Sequence, residues 1–301
     1  MAVPPGPESS SATSRVPTCY RHPGRETYVS CVRCGRPACP DCLRSAAVGQ
    51  QCVDCIREGN RGTRQPHAVF GGRAISTAAV TWTLVGLNVL LWIVELGRSS
   101  IGYDLAMLGR AFYDGRLQGV AEGQYYRLFT SAFLPPPGLN GSGVLDIVFN
   151  MWALILVGPA LERLLGHVRF LTVYLVSALG GGVMYYLIGP TNVFALGASG
   201  AIFGLFGAWF VVARRLRLDS RQIVFLIVIN LIFGFVVPNI AWQDHLGGIL
   251  AGGLLTAAYA YAPRNQRALV QIGATVAIVA VLVVAVIIRN HQLATALTNF
   301  G

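Results

Sequence analysis

Two stretches decide the fold of this chain: Gly-Ala-Ser-Gly at residues 197–200 and Asp-His-Leu-Gly-Gly-Ile-Leu-Ala-Gly at residues 244–252. Each opens an apolar segment that is long enough to cross a membrane. Ionisable side chains at membrane depth are costly, and they usually mark functional sites. The two stretches therefore predict a helical membrane protein in which a serine and a histidine serve a common purpose.

The composition of the whole chain supports this fold class. The sequence is 54% hydrophobic and 12% charged, and several apolar runs pass the length of about 20 residues that a membrane span needs. These values exclude a soluble fold and predict an all-α polytopic membrane protein. The hydropathy pattern predicts seven spans, over residues 76–97, 143–161, 168–189, 196–213, 222–238, 244–262 and 268–288.

Arginine residues predict the orientation, because short cytoplasmic loops are enriched in positive charge. They precede span one and lie in every second loop, as Arg64, Arg73, Arg163, Arg169, Arg214, Arg215, Arg217, Arg221, Arg264 and Arg267. We therefore expect a cytoplasmic N-terminus and an external tail over 289–301. Residues 1–18 are rich in Pro and Ser, which predicts a disordered N-terminus without a cleavable signal peptide.

The net charge of +10 has an ordinary explanation in topology and in contact with anionic lipid headgroups. Nucleic-acid binding is not expected, because it would require a concentrated soluble basic face. The chain contains no lysine, which excludes a Ser–Lys dyad and a lysine Schiff base. Its bias towards Ala, Arg, Gly and Val favours a GC-rich bacterial genome and hence a plasma-membrane location.

A separate module precedes the membrane part. All seven cysteines fall within residues 19–55, in the four pairs Cys19-x-x-His22, Cys31-x-x-Cys34, Cys39-x-x-Cys42 and Cys52-x-x-Cys55. Eight ligands fill two tetrahedral zinc sites, and a domain of about 40 residues folds only with such staples. Disulfides are the alternative, but an odd cysteine count and a reducing cytoplasm favour zinc. We predict a zinc domain over 19–56 and a flexible linker over 57–75.

The order of these pairs resembles a B-box zinc finger, in which alternate pairs share a metal. The resemblance implies one ion held by Cys19, His22, Cys39 and Cys42, and a second held by Cys31, Cys34, Cys52 and Cys55. The sequence alone leaves sequential pairing open. The B-box pattern often ends in histidines, whereas this chain has cysteines there. Closed four-ligand sites have no open position for chemistry, so the module is expected to contact a protein partner or to regulate.

The predicted topology brings three polar residues together. Spans two, four and six all run from outside to inside, so Asn150, Ser199 and His245 lie at similar depth in the outer half of the membrane. Of five histidines, His245 is the one within a predicted span. Each residue also has a structural explanation, since serine packs helices and a histidine can sit at the headgroup boundary. Glycines 248 and 252 share one helix face and would press span six against span four.

The membrane part resembles the rhomboid family of intramembrane serine proteases over residues 76–262, with one additional C-terminal span over 263–301. The matching motifs are Tyr126-Arg127, Asn150-Met-Trp152, Glu162-Arg163 with Gly166, Gly-Ala-Ser199-Gly, and Asn239-Ile-Ala-Trp-Gln-Asp-His245-Leu-Gly-Gly248 with Gly252. The resemblance implies a six-helix catalytic core. It also implies that Arg127 tethers the long loop over 98–142 and takes no part in catalysis.

On this resemblance Ser199 is the nucleophile and His245 the general base, with no catalytic cofactor. Asn150 and the backbone N–H of Ser199 would form the oxyanion hole. Phe203 stands where many members have a tyrosine that stacks on the histidine. Asp146 stands where many members carry a second histidine that stabilises the oxyanion. The carboxyl group is therefore either neutral, or turned away, or unfavourable to catalysis.

Two function classes follow from these residues. The first is an endopeptidase that cuts single-span membrane proteins near their outer end and prefers segments with Gly, Ala or Pro, which unwind easily. The second is a catalytically weak or inactive rhomboid-like protein that binds membrane clients, which Asp146 alone favours. A zinc-regulated transporter lacks an ion path, since the spans hold one histidine and no run of acids. Expected partners are transmembrane substrates, the lipid bilayer and a protein ligand of the zinc domain.

Overall fold

A computed structural model describes residues 16–62, 68–98, 100–136, 141–236 and 240–298. The chain divides into two compact units, and the boundary falls after Gln65. The first unit contains the cysteine-rich module and the second contains the apolar helices. Most of the predicted disordered N-terminus, residues 1–15, lies outside the described residues.

The first unit is built from two short hairpins and one helix. Strand β1 (Thr18–Cys19) pairs with β2 (His22–Glu26), and β3 (Leu43–Ser45) pairs with β4 (Gln50–Cys52), both antiparallel. Helix α1 (Val53–Gly62) follows. The buried core consists of six cysteines with Ala38 and Leu43. Because so small a core contributes little hydrophobic stabilisation, the fold of this unit depends on what the sulfur atoms bind.

The predicted flexible linker over 57–75 differs from the structure at both ends. Its first residues, 57–62, continue α1, which begins directly after Cys52 and carries the buried Cys55. The residues between Cys52 and Cys55 form the first turn of α1. Because extending a helix costs less than nucleating one, the helix continues through the glycines that follow. At the other end, Phe70 is buried and its N–H donates to Leu164 O at 3.2 Å. Residues 63–67 lie outside the described part.

The second unit contains seven helices at the positions of the predicted spans. They are α2 (Ala79–Gly97), α5 (Gly141–Leu165), α6 (His167–Ile188), α7 (Ser199–Leu216), α8 (Arg221–Val236), α9 (Trp242–Tyr261) and α10 (Arg267–Thr298). Two shorter helices, α3 (Ser100–Leu105) and α4 (Arg127–Thr130), lie between α2 and α5. The predicted all-α polytopic class is confirmed.

Five of the described helices are long and apolar enough to cross a membrane: α2, α5, α6, α7 and α10. Helix α8 is a shorter apolar helix by the same measure, over Arg221–Ile232. Helix α9 is not among the five, although it has 20 residues. Its sequence includes Gln243, Asp244 and His245 together with several glycines, which lowers its hydropathy. Seven complete crossings therefore stay a prediction.

Glycine contacts hold α9 against α6 and α7. A Cβ at position 248 would overlap with Gly200 O, and one at position 252 would overlap with Ser177 Oγ and Gly204 O. A Cβ at position 247 would similarly overlap with Gly180 O. Small residues let helix backbones approach this closely where lipid provides no hydrophobic driving force. The predicted close packing of span six on span four is confirmed.

The segment between α2 and α5 is held by one buried arginine. The Arg127 guanidinium is 1% exposed and donates to Tyr103 O at 2.7 Å, Ala106 O at 2.8 Å and Gln124 Oε1 at 2.7 Å. Strands β5 (Ala111–Tyr113) and β6 (Arg116–Gln118) form a hairpin within this segment. The predicted tethering role of Arg127 is confirmed by these bonds, which satisfy the carbonyl of Tyr103 in the last turn of α3 and that of Ala106 just after it.

Two further sets of side-chain hydrogen bonds join helices near their ends. Glu162 on α5 is fully buried and accepts hydrogen bonds from the Val80 and Thr81 N–H groups at the start of α2, at 2.9 and 2.8 Å. Gln271 on α10 accepts from Arg169 Nε at 2.6 Å and donates to Phe70 O at 3.0 Å. The C-terminal helix is thus docked by specific hydrogen bonds as well as by apolar packing.

Candidate active site and metal centres

Ser199 is the first residue of α7, and the chain enters this helix through a glycine turn. Gly197 has φ of +139°, a conformation that residues with a side chain rarely adopt, and its N–H donates to Ser131 O at 3.1 Å. The turn places Ser199 at the first position of α7, where the first backbone N–H groups of the helix lack intrahelical partners. Such an end suits a nucleophile that generates a negatively charged intermediate.

His245 lies in the first turn of α9 and faces Ser199. Its Nε2 is 2.9 Å from Ser199 Oγ, which allows the serine hydroxyl to donate to the neutral imidazole. The histidine is 7% exposed, so water has little access to the ring. The structure thus brings together the two residues that the sequence analysis assigned to nucleophile and base, in the geometry that nucleophilic catalysis requires.

Phe203, one helical turn after Ser199, covers the face of the imidazole. The two rings are stacked, with centroids 4.1 Å apart and an interplanar angle of 5°. Phe206 packs edge-on against Phe203 at 5.6 Å. His245 Nδ1 is buried and has no hydrogen-bond partner among the described residues. The orientation of the ring therefore depends on stacking and on the placement of α9, whereas in a triad a carboxylate would fix it.

Asp146 and Asn150 lie one turn apart on α5, and the Asp146 carboxyl reaches the start of α7. Beside Gly197, the position of a Cβ would be 3.6 Å from Asp146 Oδ1 and 3.4 Å from Ser199 Oγ. Asn150 is buried and its side chain interacts with the Asp146 carboxyl. The alternative in which Asp146 is turned away from the site is therefore wrong. Its carboxyl borders the space beside the nucleophile.

Asp244 is a residue to which the sequence analysis gave no role. Its carboxyl lies between α6 and α7, against the backbones of Gly181 and Gly200. The Gly200 N–H, adjacent to the nucleophile in sequence, interacts with this carboxyl. In the sequence, Asp244 could have been noticed as an acidic residue directly before the histidine of a predicted span. Its contacts with α6 and α7 are visible only in the fold.

The first potential metal centre combines Cys19, His22, Cys39 and Cys42, whose ligand atoms lie within 4.8 Å of one another. His22 Nδ1 is 3.4 Å from the sulfur atoms of Cys39 and Cys42, and 3.8 Å from that of Cys19. A tetrahedral zinc ion with Zn–S bonds of about 2.3 Å would place neighbouring ligand atoms at such separations. The donor set therefore fits one zinc ion.

The second potential metal centre combines Cys31, Cys34, Cys52 and Cys55 within the same limit of 4.8 Å. The sulfur atoms of Cys34 and Cys52 are 3.8 Å apart, and all seven cysteines are free, so the disulfide alternative is wrong. The Arg36 guanidinium donates to Cys34 Sγ at 3.3 Å and lowers its pKa. Backbone N–H groups, above all that of Cys52, lower the pKa of Cys31 to about 6. The thiolate, the metal-binding form, is thus favoured at Cys31 and Cys34, whereas hydrogen bonding to Cys34 raises the pKa of Cys55 to about 12.

The two centres use alternate pairs of the sequence. Each centre takes its ligands from one pair in the first half of the module and one pair in the second half, so the two halves are interleaved. This is the arrangement that the B-box resemblance implied. Sequential pairing would have required neighbouring pairs to converge, which the structure does not show among the described residues.

Comparisons with known proteins identify a family domain in the second unit and several related proteins. A rhomboid domain model matches residues 122–263. The putative rhomboid protease YdcA of Bacillus subtilis is 35% identical over 178 residues, which cover 58% of this chain and 84% of that protein. Rhomboid protease GluP of Bacillus subtilis is 34% identical over 184 residues, covering 59% of this chain and 34% of GluP. Rhomboid protease AarA of Providencia stuartii is 26% identical over 229 residues, covering 64% and 77%.

The matched region contains the tethering residue Arg127 and the site residues Asp146, Ser199 and His245. The cysteine-rich unit lies outside the matched domain, so the comparison gives no information on its role. Together with the helical architecture and the YdcA similarity, the domain match shows that this chain belongs to the rhomboid family.

Proposed function

We propose that this protein is an intramembrane serine endopeptidase that hydrolyses peptide bonds of transmembrane-helix substrates with a Ser199–His245 dyad. The observation that carries the proposal is the distance of 2.9 Å between Ser199 Oγ and His245 Nε2 in a buried setting. The names of the related rhomboid proteases support the same class of reaction. No metal or cofactor is needed for this chemistry.

In the proposed mechanism, Ser199 Oγ attacks the carbonyl carbon of the substrate while its proton passes to His245 Nε2. The resulting tetrahedral intermediate collapses when the histidine returns the proton to the leaving amine. A water molecule then attacks the acyl-enzyme while its proton passes to His245 Nε2. The histidine returns this proton to Ser199 Oγ, which releases the second product and the free serine. The buried Nδ1 carries the second proton of the imidazole throughout.

The oxyanion hole is proposed to comprise the Ser199 backbone N–H and the Asn150 side-chain amide. Ser199 begins α7, so its N–H has no intrahelical acceptor, and Asn150 is buried on the neighbouring helix. Donors of this kind typically contribute about 3 kcal/mol of transition-state stabilisation. Asp146 lies beside the same space, so an ionised carboxyl there would repel the developing charge whereas a neutral one could donate to it.

The substrate follows from the position of Ser199 at a helix end. A transmembrane helix has its carbonyls hydrogen-bonded internally, so a substrate must unwind before the serine can reach one. Residues that weaken helices, such as Gly and Pro, favour this unwinding. We propose single-span substrates cut near their outer end. The arginine pattern supports a multi-pass protein of a bacterial plasma membrane with its N-terminus in the cytoplasm and its C-terminus outside.

The N-terminal unit is proposed to hold two structural zinc ions and to form a B-box-like domain over 19–56. Two sets of four Cys and His donors at tetrahedral spacing support this assignment. When bound, the metal supplies folding free energy that the small core cannot provide. Because each site is closed by four protein ligands, a regulatory or partner-binding role is favoured over catalysis.

A second candidate function is a rhomboid-like protein that binds membrane clients without cutting them. Asp146 is the observation that favours it, since an ionised carboxyl beside Ser199 would raise the barrier to oxyanion formation. The intact Ser–His pair and the stacked Phe203 argue against this function, because a client-binding protein needs neither.

The protease proposal predicts that both dyad residues are needed for cleavage. Purified protein reconstituted in liposomes with single-span substrates bearing Gly or Ala near the outer end should release two fragments. Ser199→Ala and His245→Ala should each abolish detectable cleavage. The matched control is Ser177→Ala, which alters another buried membrane serine, one that donates to the Val173 carbonyl at 2.6 Å and has no contact with His245 among those described. Cleavage that survives Ser199→Ala would disprove the assigned nucleophile.

Substitution of Asp146 distinguishes a harmful carboxyl from a helpful one. Asp146→His should increase the turnover number, because an imidazole N–H can donate to the oxyanion without carrying a permanent negative charge. Asp146→Asn removes the charge with almost no change of shape, so it should give a smaller increase. Initial cleavage rates in the same liposomes measure both. Lower turnover in both variants would indicate that the native carboxyl assists the reaction.

Metal content tests the zinc centres and their pairing together. The wild-type protein should contain two zinc ions per chain, one for each cluster. Changing Cys19 and Cys39 to Ser removes two ligands of one centre and should leave one ion. Changing Cys19 and Cys31 to Ser damages both centres and should leave none. Sequential pairing would give the opposite result for the two double variants, and a metal-free wild-type chain would refute the zinc assignment. Atomic emission spectrometry gives the counts.

A further inference from the structure

Asp244 is a half-buried carboxylic acid beside the proposed site, and the proposed mechanism has no use for it. It immediately precedes His245 in the first turn of α9. Its carboxyl does not reach the imidazole, because His245 Nδ1 has no partner among the described residues. Asp244 is therefore not the third member of a catalytic triad. An acid placed there at considerable desolvation cost calls for another explanation.

The carboxyl instead meets the start of the helix that carries the nucleophile. Asp244 Cγ lies 2.6 Å, and its oxygens lie as close, from the position that a Cβ on Gly200 would occupy. The Gly200 N–H interacts with this carboxyl. Helix α7 begins without a side-chain cap, since Ala198 at the N-cap position has no polar side chain. Asp244 thus supplies, from another helix, a hydrogen-bond acceptor for the start of α7, the role that an N-cap side chain plays in other helices.

Two glycines make room for this contact. A Cβ at position 181 on α6 would approach Asp244 O to 2.9 Å and Asp244 Cγ to 3.0 Å, and a Cβ at position 200 on α7 would overlap with both carboxylate oxygens. The side chain therefore occupies a slot between α6 and α7 that only glycine at both positions leaves open. A single carboxyl joins three helices at the level of the active site.

The Ser–His geometry depends on this junction because, among the described residues, no hydrogen bond to Nδ1 holds the His245 ring in place. Glycine packing limits how closely α9 approaches α7, and stacking on Phe203 restrains the plane of the ring, but neither contact fixes the position of α9 along or about its own axis. The adjacent residues Asp244 and His245 of α9 contact the adjacent residues Gly200 and Ser199 in the first turn of α7. A shift of α9 along or about its axis would lengthen the distance of 2.9 Å between Oγ and Nε2, and misplacement by about 1 Å can cost about 100-fold in rate.

We propose that Asp244 is a positioning residue that links the first turn of α9 to the first turn of α7 and thereby sets the distance between His245 and Ser199. The inference rests on the proposed function for its catalytic consequence. Its structural part, the link between the two helices, stands independently. In a catalytic triad, a carboxylate orients the histidine directly. Here the Asp244 carboxyl would instead act through the backbone of α7, the helix that carries the nucleophile.

The test compares Asp244→Ala and Asp244→Asn in the full-length protein. Asparagine keeps the shape and offers an oxygen to the Gly200 N–H, so it should retain most of the activity. Alanine should lower kcat by about 100-fold with little change in KM, because the dyad loses its alignment while substrate binding remains. Glu95→Ala is the matched control. It removes another buried membrane acid, one with no hydrogen-bond partner among the described residues, and should leave kcat unchanged.

Hydrogen exchange measured by mass spectrometry supplies a readout that needs no activity. Peptides covering residues 199–206 should exchange faster in Asp244→Ala than in wild type, whereas the thermal midpoint and peptides from α2 should stay the same. Unchanged exchange and unchanged kcat in Asp244→Ala would overturn the proposal. Faster exchange in Asp244→Ala, together with a wild-type protein that cleaves nothing, would keep the helix link and refute the protease function. If Asp244→Asn were as impaired as Asp244→Ala, the shape and the acceptor oxygen of residue 244 would not account for its effect on kcat. That result would also overturn the proposal.

Discussion

The contact between the backbones of α7 and α9 is the constraint on which the rest of the membrane unit depends. Helix α9 can bring His245 to 2.9 Å from Ser199 only because glycines at 200, 204, 248 and 252 let the two helices approach without intervening side chains. In lipid, such packing replaces the hydrophobic driving force that would hold a soluble core together. The same closeness excludes water from the imidazole, which strengthens every electrostatic interaction in the site.

Much of this could be predicted from the sequence because the membrane imposes simple rules. Apolar length gave helix positions that agree with the structure within a few residues, except that α10 continues to Thr298 where a tail was predicted from residue 289. The Ser199–His245 pairing followed from topology and from the rhomboid resemblance. The tethering role of Arg127 followed from the same resemblance, and the structure adds the carbonyl groups that it binds. The linker was wrong at 57–62 because glycine-rich composition predicts flexibility, whereas the ligand turn at Cys52 and Cys55 starts a helix there.

Other features required the three-dimensional structure. The rotation of α5 sets the direction of the Asp146 side chain, and hydropathy does not specify that rotation. Because the carboxyl lies beside Ser199, the remaining alternatives for Asp146 differ in whether the carboxyl is neutral or ionised. The slot for Asp244 depends on glycines from two helices that are distant in sequence. Pairing of the cysteine ligands likewise depends on how two hairpins interleave, and the structure favours the alternate arrangement. These are relations between elements, and local patterns carry little information about them.

The central claim is that Ser199 is an activated nucleophile, and covalent capture tests it most directly. Detergent-solubilised protein would be treated with a fluorophosphonate probe and digested, and the adduct located by mass spectrometry. The account predicts a single modified peptide with the adduct on Ser199, and no adduct when His245 is replaced by alanine. A correctly folded wild-type protein that remains unmodified, or an adduct that forms equally well without His245, would contradict it.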